Sequence, residues 1–119
     1  MEVFKEFTFD AAHWLPNVPA GHKCGRMHGH TYRVVIGVEG PVDEETGFVI
    51  DFADLKGIVK PYIEDLDHTC LNDLIENPTA ENLVLFLWHA LRDFDDLPLS
   101  YIEVWETPNS GARKRAVPS

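Results

Sequence analysis

Cysteine is scarce in this 119-residue chain: Cys24 and Cys70 are the only two. A disulfide framework is excluded at that number in a reducing compartment, so free thiols are expected. Positive charge is scarce too. Ten Lys and Arg stand against 20 Asp and Glu, for a formal net charge of −10. That balance excludes a general affinity for nucleic acid or an anionic membrane. The longest apolar run, about Leu83 to Trp88, is too short to cross a bilayer. The opening MEVFKEFTFD carries acids where an export signal needs a basic region and an apolar stretch, so the cytoplasm is the expected compartment. Repeats, low-complexity tracts and long linkers are missing as well, and one domain over 1–119 is expected.

Apolar residues are plentiful. At 45% of the chain, with 11% aromatic, they suffice for a core. A chain this short still leaves much surface in water, which favours self-association. Residues 2–10 alternate in part, with Val3, Phe7 and Phe9 in phase, and predict a strand. Residues 14–27, with Pro16, Pro19, Gly21 and Gly25, predict a long loop, a length usually tied to function. Residues 29–39 predict a second strand with Tyr32, Val34, Ile36 and Val38 in phase. The turn region GPVDEETG then leads to FVIDF, predicted as a third strand in a hairpin with the second. The apolar period next becomes helical, from about Ala53 to Leu66, with Pro61 expected to kink or limit the helix. A second helix starts in ENPTAEN, capped by Asn77 or Thr79, with Leu83, Phe86, Leu87, Ala90, Leu91 and Phe94 on its apolar face. Residues 99–107 read as a fourth strand, and ARKRAV as a short final one. The pattern predicts an α+β layer: an antiparallel four-stranded sheet with two helices on one face. The other face then needs cover from a subunit or a ligand.

The chemistry concentrates in CGRMHGH, residues 24–30. His28 and His30 are two apart at a strand's start and so share a face, in phase with Tyr32 and Val34. His13 is in phase with Phe7 and Phe9, and an antiparallel pairing of the first two strands brings it to the same place. Three histidines with an open position describe a catalytic zinc site. His22 and His89 read as an ordinary loop histidine and an ordinary helix histidine.

Cys24 has two readings. It can close a Cys–His₃ structural site, or act beside the metal as a base whose thiolate is favoured by Lys23 and Arg26. Cys70 lacks such company and reads as structural. Asp67–His68 is either a helix C-terminus with a favourable histidine or a carboxylate–imidazole proton-transfer pair. Glu106 shares the phase of Ile102 and Val104, and is either solvated at the strand end or poised to accept two parallel N–H bonds from a ligand. Arg113–Arg115 reads by itself as a solvated tail.

Taken together, FTFDAAHWLP, GHKCGRMHGHTYRV, TGFVIDFADLK, LDHTCLND, NPTAEN and WETPNSGA resemble the 6-pyruvoyltetrahydropterin / 6-carboxytetrahydropterin synthase family over almost the whole chain. The resemblance implies the tunnelling (T-) fold, with subunits forming barrels, commonly homohexamers. It implies that His13, His28 and His30 bind zinc, that Cys24 is the catalytic base, that Asp67 and His68 support proton transfer, and that Glu106 anchors a pterin ring. The three residues between Cys24 and His28 resemble the bacterial 6-carboxytetrahydropterin synthases of queuosine (7-deazaguanine) biosynthesis, whereas pyruvoyl-type synthases have five. The implied substrate is 7,8-dihydroneopterin triphosphate, with Lys23, Arg26 or Arg113–Arg115 meeting its triphosphate. A pyruvoyl-type synthase on the same scaffold and a non-catalytic zinc- or pterin-binding module are the alternatives. A further subfamily carries glutamate in place of the cysteine and makes hydroxymethyl-dihydropterin, and Cys24 speaks against it.

Overall fold

A computed structural model describes residues 1–94 and 97–117. The chain opens with two 12-residue strands, β1 (Glu2–His13) and β2 (His28–Glu39). Helix α1 (Phe52–Leu66) follows, then the two-residue strand β3 (Thr69–Cys70), helix α2 (Ala80–Arg92), and strands β4 (Leu99–Thr107) and β5 (Ser110–Arg115). The sheet order is β3-β1-β2-β4-β5. The four longer strands pair antiparallel, and β3 adds a short parallel contact at the β1 edge, Ala11 opposite Thr69.

Alternation decides which face each strand buries. Phe9, Ala11 and His13 of β1 are buried, as are Tyr32, Val34, Ile36 and Val38 of β2 and Ile102 and Val104 of β4. Helix α1 brings Leu55, Val59, Ile63 and Leu66 against this face, and α2 brings Leu83, Leu87 and Leu91. Fully burying one such leucine contributes about 1.5–3 kcal/mol, so this single layer of contact holds the helices to the sheet. No helix among the described residues is long and apolar enough to cross a membrane.

The architecture is the expected α+β layer, with the strands distributed differently. FVIDF is not a strand. Both edges of β2 are taken, by β1 and β4, so no hairpin partner can pair there. Gly47 and Phe48 close a turn on Asp43, while Val49 and Ile50 lean on the core. Asp51 caps α1, its side chain accepting from the Ala53 amide at 2.8 Å. The fourth long strand is β5 instead. Pro61 neither ends nor shortens α1, which runs on to Leu66. Thr79 is the cap of α2, accepting from the Asn82 amide at 3.1 Å. The Arg113–Arg115 cluster lies within β5, and each side chain has a partner. Arg113 donates to Glu103 at 2.6 Å, Lys114 lies over the Trp88 ring and Arg115 over the Tyr101 ring.

Candidate active site

Strand register places the histidines. β1 runs on through Ala11 to His13, which pairs with His28, while Ala11 pairs with His30. One nitrogen from each of His13, His28 and His30 lies within 4.8 Å of the others. His13 is buried and the other two are half-buried. Cys24 is not a member of this close set.

The hydrogen bonds around the rings make the set suited to a cation. The Nδ1–H of His13 donates to the Pro78 carbonyl at 2.7 Å, and that of His28 to the Arg26 carbonyl at 2.7 Å. A carbonyl only accepts, so Nδ1 carries the hydrogen in both neutral rings and Nε2 presents a lone pair. Those two Nε2 atoms are 3.0 Å apart. Two lone pairs at that distance repel, and a metal ion bound by both relieves the conflict. The third member agrees: Nε2 of His30 is buried without a hydrogen-bond partner. Burial pushes the His30 imidazole below its ordinary value, opposed by Glu106 and reinforced by the other two rings, which keeps it neutral and able to ligate. Tyr32, stacked on Phe9, stands beneath the set with its hydroxyl 3.2 Å from His13 Nδ1.

The three rings open into a cavity of about 430 Å³ also lined by Leu15, Lys23, Cys24, Glu106, Thr107 and Ser110. Cys24 comes from a single tight turn, Lys23–Gly25, and its thiol is free. Glu106 arrives from β4, where the register with β5 shifts between Trp105 and Thr107, a bulge of the kind that re-aims a side chain. Of the two basic neighbours of Cys24, only Lys23 lines this cavity. Arg26 borders another hollow with Trp14, Pro16 and His22.

Asp67 and His68 do face each other. Asp67 caps the C-terminus of α1, its Oδ2 lies 2.9 Å from His68 Nδ1, and its Oδ1 accepts from the Asp10 amide at 2.9 Å. His68 has a φ of +59°, sparsely populated for a residue with a Cβ, and its amide donates to the Asp10 carbonyl. The Asp10 amide, then the His68 ring, hold the Asp67 carboxyl below the usual carboxylate range. The pair does not line the Cys24 cavity. His68 borders a hollow of about 520 Å³ with Asp10, Ala12, Gly29 and Thr31, the residues of β1 and β2 that point away from the helices. His30 lines both spaces.

Three supports escape a reading by residue type. The Pro78 carbonyl orients His13 although NPTAEN reads only as a helix start. The Arg26 carbonyl orients His28. His22 is no idle loop histidine: its Nδ1 accepts the Cys24 amide at 3.1 Å.

The model of the family described as 6-pyruvoyl tetrahydropterin synthase matches residues 2–116. The chain belongs to this family. Within it, the chain is 38% identical over 118 residues to the 6-carboxy-5,6,7,8-tetrahydropterin synthase of Synechocystis sp., covering 93% of this chain and 90% of that protein. It is 45% identical over 87 residues to the putative 6-carboxy-5,6,7,8-tetrahydropterin synthase of Archaeoglobus fulgidus, covering 72% and 71%. The 6-pyruvoyl tetrahydropterin synthase of Caenorhabditis elegans superposes with a TM-score of 0.87 at 25% identity, covering 98% of this chain and 96% of that one. Membership in the pterin synthase family makes the shared cavity of His13, His28, His30, Cys24 and Glu106 the candidate active site.

Proposed function

We propose that this chain is a zinc-dependent lyase, converting 7,8-dihydroneopterin triphosphate and water to 6-carboxy-5,6,7,8-tetrahydropterin, acetaldehyde and triphosphate in queuosine biosynthesis. The observation that carries the reading is the single cavity shared by a three-histidine set, a free thiol outside that set and an aimed carboxylate. The relatives named for the 6-carboxy product support the choice of reaction.

His13, His28 and His30 would hold the zinc, the first two through Nε2 atoms whose tautomers the Pro78 and Arg26 carbonyls favour, the third through its buried, unpartnered Nε2. Zinc bound there supplies Lewis acidity that makes protons of the substrate's side-chain hydroxyls and carbons easier to remove. Cys24, as thiolate, removes a proton from that side chain. Glu106 accepts adjacent N–H groups of the pterin edge and fixes the ring against rotation. Lys23 lines the cavity beside Cys24 and meets the triphosphate, whereas Arg113–Arg115 are engaged elsewhere. His68, oriented by Asp67, handles a proton on the far side of the side chain. In one chain that imidazole borders the other hollow, so His68 would serve the cavity of a neighbouring copy within a homohexameric barrel. The whole chain, 1–119, works as one cytoplasmic unit.

Product analysis decides between this reaction and a pyruvoyl-type synthase, which the family's description and the Caenorhabditis elegans neighbour keep in view. Acetaldehyde and the 6-carboxy product are expected from purified, zinc-loaded protein. 6-Pyruvoyltetrahydropterin as sole product overturns the assignment. Cys24→Ala is expected to retain zinc and to lose turnover by about 10²–10⁴-fold, the contribution of a positioned acid–base group. Loss of zinc in that variant would make Cys24 a ligand instead. Zinc and turnover both surviving would make Cys24 neither ligand nor base, and wild-type protein that holds zinc without turnover would be a binding module.

A further inference from the structure

The backbone of Cys24 is held at both of its hydrogen-bonding atoms. Its carbonyl accepts from the Leu15 amide at 2.8 Å, which ties the turn to the end of β1, two residues past His13. Its amide donates to Nδ1 of His22 at 3.1 Å. His22 is the residue that caps this turn, with extended backbone at φ −66° and ψ 134°. Its own amide donates to the Pro19 carbonyl and its carbonyl accepts from Gly25, so the imidazole hangs from a fixed backbone. A cap of this kind is normally a short oxygen side chain. Here a ring nitrogen does the same work on the amide of Cys24, which lines the cavity.

We propose that His22 is a positioning residue for Cys24. The Leu15 bond sets how far the turn lies from the histidine set. The His22 bond sets the rotation of the Cys24 backbone, and so the direction in which the thiol leaves it. Removing the second leaves the turn held by the Leu15 bond and by its own Gly25–His22 and Arg26–Lys23 bonds, but frees the Cys24 amide to rotate more widely. The thiol then spends less time aimed at a substrate held by Glu106 and the metal set. This inference rests on the reading of Cys24 as the proton-transfer group, and it goes beyond that reading by assigning a role to a residue outside the cavity lining.

The test compares His22→Ala and His22→Asn with wild type and Cys24→Ala, all as zinc-loaded protein. Asn is the control because its side-chain oxygen can accept the same amide. His22→Ala is expected to lower kcat by about tenfold through misplacement of the thiol, with KM and zinc content little changed. His22→Asn is expected to recover most of that loss. Independently of activity, hydrogen exchange at the Cys24 amide is expected to quicken by about tenfold in His22→Ala and to return toward wild type in His22→Asn. Unchanged kcat and unchanged exchange in His22→Ala overturn the inference, as does a loss that His22→Asn fails to recover or that follows loss of zinc. Cys24→Ala keeps the two proposals apart. An inactive Cys24→Ala beside a fully active His22→Ala overturns this inference alone, whereas an active Cys24→Ala overturns the proton-transfer reading and this one with it.

Discussion

At the residue scale, Asp67 offers a measurement independent of turnover. Its carboxyl sits below the usual carboxylate range because the Asp10 amide, and then the His68 ring, bond its charged form. A carboxylate whose native value is depressed stabilises the fold fully above the unfolded value, about 3.9 for Asp, and loses that contribution as pH falls through the native value. Asp67→Asn is therefore expected to have a lower urea midpoint than wild type at pH 6, with the difference closing as pH drops below the carboxylate range. A gap that stays constant down to pH 2 would show that the charge contributes nothing. The side chains at the site were legible to unequal degrees. His28 and His30 followed from strand period alone, and His13 from the same phase carried one strand over. Glu106 was visible as an acid on an apolar phase. His22, and the Pro78 and Arg26 carbonyls, were not. Their roles depend on the path of a loop and a helix entry, and nothing in residue type encodes that path.

At the scale of elements, α2 was read closely because a helix start has local chemistry. Thr79 accepts the Asn82 amide, Glu81 lies in the first turn, and the buried residues recur at helical spacing. Thr79→Ala is expected to destabilise the protein by about 1 kcal/mol, and Thr79→Ser to cost much less, by urea unfolding. An Ala variant within error of wild type would mean that water satisfies those amides as well. FVIDF illustrates the opposite case. Its β-branched and aromatic residues suit a strand, but propensity is weak where no edge is free for pairing. With β2 already flanked by β1 and β4, the segment packs against the core and Asp51 begins α1. β3 was invisible for a related reason: two residues are too few for any period, and their pairing is set by where α1 sets the chain down. Pro61 shows propensity yielding to packing, since Val59 and Ile63 bury beside it.

At the scale of the molecule, the chain is elongated. Its radius of gyration is 15.6 Å, with extents of 57 × 29 × 26 Å. A compact domain of this length would have a radius of about 13–14 Å. The helices cover one sheet face only. The other carries polar and aromatic contacts such as Arg33 bonded to Glu6 and lying over the Trp105 ring. Among the described residues β5 is an outer strand, and β1 before Asp10 has no strand partner on the side away from β2, so both margins of the sheet offer edges for pairing. Joining such margins between copies closes a ring without new secondary structure. In the proposed ring, the two hollows that His68 and Cys24 line on opposite sides of the HGH strand would belong to sites completed by neighbouring copies. If catalysis needs Cys24 of one copy and His68 of another, Cys24→Ala and His68→Ala are each inactive but can complement each other. Refolding the two variants together in equal amounts is expected to restore about a quarter of wild-type turnover, since half the copies supply each intact group. Mixing them without subunit exchange restores none. If the refolded mixture stays inactive while each variant retains its assembly state and its zinc, the two groups act within one chain, and α1 must then bring Asp67 and His68 around to the other hollow.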